Sequence, residues 1–262
     1  MSTKRERENE RRRYEKWQER RAVAQARRRD RVIAWSIIGV LVLGTGVGVA
    51  VALSDDGATT AEPSPTATVT SPCTPVATAI STEPRTGNGG EVPEPSAAQD
   101  RTWTSTISTN CGDITLELDG AAAPQAVANF VTLADEGYFD ATSCHRLVTA
   151  GIFVLQCGDP TATGSGTPGY SWGPIENAPE DDLYPAGTLA MARVGGDGES
   201  MGSQFFLVYE DSTILSDEAG GYTVFGRITS GLDVVQAIAD AGTGSDGVAP
   251  VSDVIIEGVL TQ

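Results

Sequence analysis

The stretch CHRLVTAGIFVLQCGDP, residues 144–160, holds the only histidine of the chain, His145, beside Arg146. Arg146 is one of five basic residues found beyond residue 31. A lone His next to an Arg, ahead of an apolar run and a Gln at 156, has the look of a site. The pair offers either a proton-transfer group or a permanently charged fork of N–H donors. Adjacent residues of a strand point to opposite faces, so only one of the two can face a given groove. Elsewhere the sequence withholds the partners that other chemistries need. Serine hydrolysis would want a G-x-S-x-G elbow and a triad His, and no such elbow is present. One His and four scattered Cys make a poor metal set. Gly164-Ser-Gly-Thr-Pro-Gly169 has dinucleotide-fingerprint spacing, but Pro168 lies inside it and SWGPIENAP follows, so it opens no helix. No cofactor is expected.

The elements that must position these residues lie beyond residue 101. TWTSTIST alternates, NCGD supplies a turn and ITLEL alternates again, which predicts a β-hairpin. In PQAVANFVTLADEG, residues Val127, Phe130, Val131 and Ala134 fall at helical spacing between Pro124 and Gly137. A second helix is predicted over GLDVVQAIADAG, with Leu232, Val235 and Ile238 on one face. The runs HRLV, FVLQ, GTLAMAR, SQFFLVY, YTVFGRI and VSDVIIEGVL complete about eight short strands. Many short strands with few helices predict a mainly β fold, a closed antiparallel barrel. The domain is expected over residues 102–262.

Charge divides the chain. Residues 1–31 hold 13 of the 18 Lys and Arg and 6 of the 35 Asp and Glu, a net of +7. The rest therefore carries a net of −24, which argues against nucleic acid as a partner. Residues 32–53, VIAWSIIGVLVLGTGVGVAVAL, contain no charge. As a helix they would span ~33 Å, enough for a ~30 Å hydrocarbon core. Arginines 27, 28, 29 and 31 precede this run and Asp55 and Asp56 follow it, which predicts a single-pass anchor with residues 1–31 in the cytoplasm. Ala50-Val51-Ala52 resembles a signal-peptide cleavage site, but the apolar run and the basic region are both long for one. Residues 54–101 carry 7 of the 14 prolines among Thr, Ser, Ala and Glu, and are expected to form a disordered tether outside the membrane. Cys73, Cys111, Cys144 and Cys157 allow three pairings. Alternation around Arg146 and Gln156 sets Cys144 and Cys157 on opposite faces unless a bulge intervenes, and the choice stays open.

Taken in order, the HR pair, the F-x-x-Q-x-G-D run from Phe153, G-T-x-x-M-A from Gly187, G-S-Q-F-F from Gly202 and V-F-G from Val224 resemble the cyclophilin family of peptidyl-prolyl cis–trans isomerases. The likeness extends over about residues 103–262, and the tethered arrangement looks like the envelope cyclophilins of Gram-positive bacteria. The resemblance implies an eight-stranded closed barrel capped by two helices, binding proline-containing polypeptides. It assigns catalysis to Arg146, positioned by Gln156, and leaves His145 a structural role. It implies a proline pocket of Phe153, Val154, Phe206 and Leu215, with Gln204 and Tyr222 nearby and Ala192 and Arg193 along the strand that pairs with the peptide. This chain departs from the pattern: Val154 stands for Met, Arg193 for Asn, Ile214 for Trp and Tyr222 for His, and the 211–221 segment is longer. Without the Trp indole donor, cyclosporin binding is expected to be weak. The alternative function is a proline-peptide binding module with incidental or no isomerase activity.

Overall fold

The structure, a computed structural model, describes residues 71–76 and 80–262. The basic segment 1–31 and the predicted anchor 32–53 lie outside the described residues. Among the described residues no helix is long and apolar enough to cross a membrane.

Among the described residues, eleven strands and two α-helices follow in order. The first hairpin is β1 (Thr102–Thr109) and β2 (Gly112–Asp119), in direct register from Thr102↔Asp119 to Thr109↔Gly112. Helix α1 (Pro124–Asp135) comes next. Then come β3 (Thr142–Ser143), β4 (Arg146–Ala150), β5 (Ile152–Cys157), β6 (Leu183–Tyr184), β7 (Thr188–Met191), β8 (Phe205–Val208), β9 (Ser212–Thr213) and β10 (Val224–Ser230). Helix α2 (Leu232–Ala241) and β11 (Ile255–Thr261) end the fold. Pro124 starts α1, where its missing N–H costs nothing. A distant carboxylate, Glu176, accepts the backbone N–H groups of Gln125 and Ala126 at 3.0 and 2.9 Å and so caps that helix.

Nine strands form one antiparallel sheet in the order β3-β11-β1-β2-β10-β7-β8-β5-β4, while β6 and β9 pair separately. The expected closed eight-stranded barrel is therefore corrected to a nine-stranded sheet without a closing ladder. Its edge strands β3 and β4 are consecutive in the chain, joined through Cys144 and His145. The sheet is thus a half-barrel whose two edge strands are linked by the chain and not paired with each other.

Every residue of β7 and β8 is buried, because each strand is covered on both faces. Leu189, Met191, Phe205 and Leu207 enter the main core with α1. Ala190, Phe206 and Val208 turn to a smaller apolar cluster on the opposite face. Phe130 of α1 organises the main core, stacked on Phe139 at 5.2 Å and edge-on to Phe205 at 5.4 Å.

The disordered tether expected over 54–101 is corrected for its described part. Both disulfides exist, Cys73–Cys111 and Cys144–Cys157, and the first ties this segment to the turn after β1. Ser81 N–H donates to Ala141 O at 2.9 Å, Gly87 N–H to Pro168 O at 3.0 Å, and Arg85 Nη1 to Tyr138 O at 2.7 Å. A 3₁₀ turn at Pro95–Ala98 packs on α1 and accepts the Trp103 indole N–H at Ala98 O, 2.8 Å. Composition alone read this strap as unfoldable; a covalent tie and borrowed hydrogen bonds offset its lack of apolar side chains. The Cys144–Cys157 bridge needs no bulge, since Cys144 precedes β4 and is not bound by strand alternation.

Candidate active site

Arg146 and Gln156 occupy opposed positions of the β4–β5 ladder. Arg146 Nη1 donates to Gln156 Oε1 at 3.1 Å. Gln156 Nε2 donates to Gln204 Oε1 at 2.8 Å. Gln204 Nε2 in turn donates to the carbonyls of Gly164 and Gly166, at 3.1 and 3.0 Å. This chain of bonds fixes both amide orientations: each Gln presents its oxygen to the donor before it and its NH₂ to the acceptor after it. Among the described residues Gln156 is the only group Arg146 bonds, and no carboxylate lies within ion-pair reach of it. The remaining guanidinium donors of this exposed residue stay open to the groove.

The loop that ends the chain of bonds is built around a buried carboxylate. Asp159 accepts Thr161 N and Oγ1, both at 2.7 Å, Gly164 N at 2.6 Å and Gly166 N at 3.1 Å. Burial alone would raise the Asp159 carboxyl, yet these donors outweigh it and hold it below its ordinary value. Gly158 lets the chain enter the loop: its φ is +88°, and a Cβ there would lie 2.4 Å from Ser203 O.

Beside Arg146 opens an apolar cavity of ≈110 Å³ lined by Ile152, Val154, Gln156, Ala192, Phe206, Ile214 and Tyr222, with Arg146 and Arg193 at its margin. A single water's share of liquid is ~30 Å³, so the cavity has room for a small ring. Tyr222 stands edge-on to Phe206 at 5.5 Å.

The structure thus brings Arg146, Gln156, Val154, Ala192, Phe206 and Tyr222 together, with Gln204 one bond away. Two predicted lining residues do not join them. Phe153 turns to the other face of β5 and packs edge-on to Tyr209 at 5.9 Å. Leu215 is 75% exposed and lies away from the cavity. Ile152 and Ile214 take those places. Ile152 was discoverable, since 152, 154 and 156 alternate onto the face of Gln156.

The Arg193 side chain, in place of the family's Asn, is turned into the protein. That side chain is fully covered. Nη1 and Nη2 grip the two Asp217 oxygens at 3.0 Å each, and Nη2 and Nε donate to the carbonyls of Gly220 and Gly221 at 2.6 and 3.0 Å. The guanidinium lies 4.6 Å from the Tyr222 ring centroid. Its grip holds the Asp217 carboxyl well below the usual carboxylate range. What Arg193 exposes is backbone, and backbone is what a strand-adding peptide needs.

His145 sits outside the small cavity. Among the described residues both ring nitrogens are buried without a hydrogen-bond partner, and the ring lies beneath Gly164. Burial, followed by the Arg146 charge, lowers its pKa, against an opposing pull from Asp159.

An open guanidinium, braced by an amide, thus stands over a ring-sized apolar slot. The family profile described as cyclophilin type peptidyl-prolyl cis-trans isomerase/CLD matches residues 104–260, more than half of the chain, and the protein belongs to that family. The probable peptidyl-prolyl cis-trans isomerase B of Mycobacterium leprae is 42% identical over 182 residues, covering 64% of this chain and 58% of its own. The peptidyl-prolyl cis-trans isomerase of Helicobacter pylori strain 26695 is 44% identical over 140 residues, 53% of this chain and 81% of its own. The chain thus spans little more than half the length of its mycobacterial relatives. A cyclophilin type isomerase of Cryptosporidium parvum superposes with a TM-score of 0.53 at 28% identity, covering 62% of this chain and 98% of that one. The same enzyme was also solved in the presence of the dipeptide Ala-Pro.

Proposed function

We propose that this protein is a peptidyl-prolyl cis–trans isomerase acting on proline-containing polypeptides that fold outside the membrane. The observation that carries the reading is the Arg146–Gln156 pair at the mouth of the ≈110 Å³ apolar cavity. Rotation of an X-Pro bond crosses ~18–20 kcal/mol because amide resonance is lost at the twisted geometry. There the prolyl nitrogen regains its lone pair and accepts a hydrogen bond. A donor aimed at that nitrogen binds the twisted state better than either planar isomer, which lowers the barrier. Arg146 supplies such a donor in permanently charged form, and Gln156 and Gln204 hold it ready. The apolar slot grips the ring while the preceding carbonyl swings. A ~10⁶-fold acceleration asks for only ~8 kcal/mol of this differential binding. No step in it transfers a proton or forms a covalent bond. Exchange spectroscopy on an Ala-Pro peptide tests the reading: faster interconversion of the cis and trans resonances with added protein is expected.

We further infer that residues 32–53 anchor the chain in the cell membrane, in the manner of Gram-positive envelope cyclophilins. The 22 uncharged residues, the arginines before them and two disulfides suited to an oxidising compartment support this. Protease accessibility of the domain on intact cells, with residues 1–31 protected, is the expected result. Weak cyclosporin binding belongs to the same reading, since Ile214 lines the cavity and carries no indole N–H.

A further inference from the structure

A second, larger cavity of ≈640 Å³ meets the proline cavity at Arg146 and Gln156. One wall is the strap, through Ile80 and Thr82; another is the 246–254 segment before β11. Both walls are pinned next to the catalytic hairpin. Ser81 N–H donates to Ala141 O, and Leu147 N–H donates to Val248 O at 2.8 Å. Cys144 N–H donates to Val254 O at 2.9 Å, and Asp246 Oδ1 closes its own turn by accepting the N–H groups of Val248 and Ala249. The surface is thus preformed rather than a gap between loose loops.

Its chemistry is specific. Ile80, Val248, Pro250 and Val254 supply apolar wall, with Val248 48% exposed, and the acidic residues Asp246 and Asp253 also line it. We propose that this cavity is a second substrate subsite, taking a lysine or arginine side chain of the polypeptide being isomerised, one or two residues from the proline. The assignment rests on the isomerase reading for the identity of the bound chain. The cavity shares Arg146 and Gln156 with the proline slot, so a chain seated in that slot reaches it within one or two residues at ~3.3–3.6 Å each. A long aliphatic stem with a cationic tip matches apolar wall plus carboxylates. A third cavity, of ≈330 Å³, adjoins the proline slot on its other side through Ala192 and Arg193, neither of which lines the larger cavity, so the reached residue lies on the flank away from those two. The strap thereby becomes part of the binding surface, and the Cys73–Cys111 bridge holds it there.

The test uses the full chain and a panel of Ala-Pro-centred hexapeptides, with Lys, Leu, Gly or Glu at the first and second positions on either side. Kd and the cis–trans exchange rate are measured together by NMR. Wild type is expected to bind Lys over Glu by about tenfold on one flank only. Ile80→Arg, which places a cation in the subsite, and Asp253→Asn should each remove most of that preference while Gly-flanked peptides bind as before. Equal binding of Lys and Glu peptides by wild type, or full preference retained in both variants, overturns the proposal. Retained preference in Kd with no exchange catalysis would contradict the isomerase reading and leave the subsite standing.

Discussion

Gln156 lies directly across the β4–β5 ladder from Arg146 and accepts its Nη1 hydrogen at 3.1 Å. The partner of that amide is Gln204, anchored to Gly164 and Gly166, whose loop is in turn organised by the buried Asp159. The Arg146 guanidinium therefore inherits its orientation from a carboxylate it does not bond.

Removing the middle of this chain should hurt catalysis more than stability. Gln204→Ala leaves the Gln156 amide free to turn, and kcat/KM on an Ala-Pro peptide is expected to fall about tenfold, the equivalent of one net hydrogen bond. The midpoint of thermal unfolding should move by only a few degrees. An unchanged kcat/KM would show that Arg146 is held by other means.

The Arg193–Asp217 clasp positions the Tyr222 wall of the apolar cavity beside Arg146. Asp217→Asn is expected to raise KM several-fold with kcat nearly unchanged, as for loss of uniform binding. Asp217→Glu should restore most of the loss. A fall in kcat with KM unchanged would contradict this assignment.

Acid should destabilise the site side of the fold in two stages. His145 has a lowered pKa in the folded state, so below about pH 6.5 the unfolded chain takes up a proton that the folded chain refuses. Stability then rises with pH through that window and levels off above it. Asp159 is also depressed; its contribution is present above about pH 4 and is lost as pH falls through its folded value. Groups facing His145 include Arg146 and Asp159, with Asp246 and Asp253 lining the same cavity. Urea unfolding of His145→Gln should show a flatter profile than wild type between pH 7.5 and 5. An identical profile would sink the assignment.

The Cys144–Cys157 bridge, 13 residues apart in sequence, closes the hairpin base just behind Arg146 and Gln156. Replacing both by Ser should cost about 3 kcal/mol of stability from loop-closure entropy. Activity at low temperature should persist, because the β4–β5 ladder still pairs Arg146 with Gln156. Complete loss of activity in a folded double variant would assign the bridge a direct role in the site.

Much of this site could be read from residue order. The first helix announced itself through Pro124 and Gly137, and the second through Leu232, Val235 and Ile238 on one face. Alternation along β5 would have set Ile152 and Val154 with Gln156, yet the resemblance put Phe153 in the pocket, and the structure turns it to the far face. Leu215 was misplaced because 211–221 has no period: its only strand, β9, is two residues long. Strands β3 and β6 are equally short and leave no pattern. The strap was hidden because it is held by hydrogen bonds, Arg85 to the distant Tyr138 carbonyl and the Trp103 indole to the strap's own Ala98 carbonyl, rather than by its own apolar content.

The central claim is that Arg146, and not His145, lowers the rotation barrier. Exchange rates of an Ala-Pro peptide with wild type, Arg146→Ala and His145→Ala test it most directly. The account predicts a loss of about 10²–10³ in kcat/KM for Arg146→Ala, the scale for deleting a transition-state donor, with peptide binding kept within a few-fold. His145→Ala should retain most of the activity. Full activity in Arg146→Ala, or a comparable collapse in a folded His145→Ala, would contradict it.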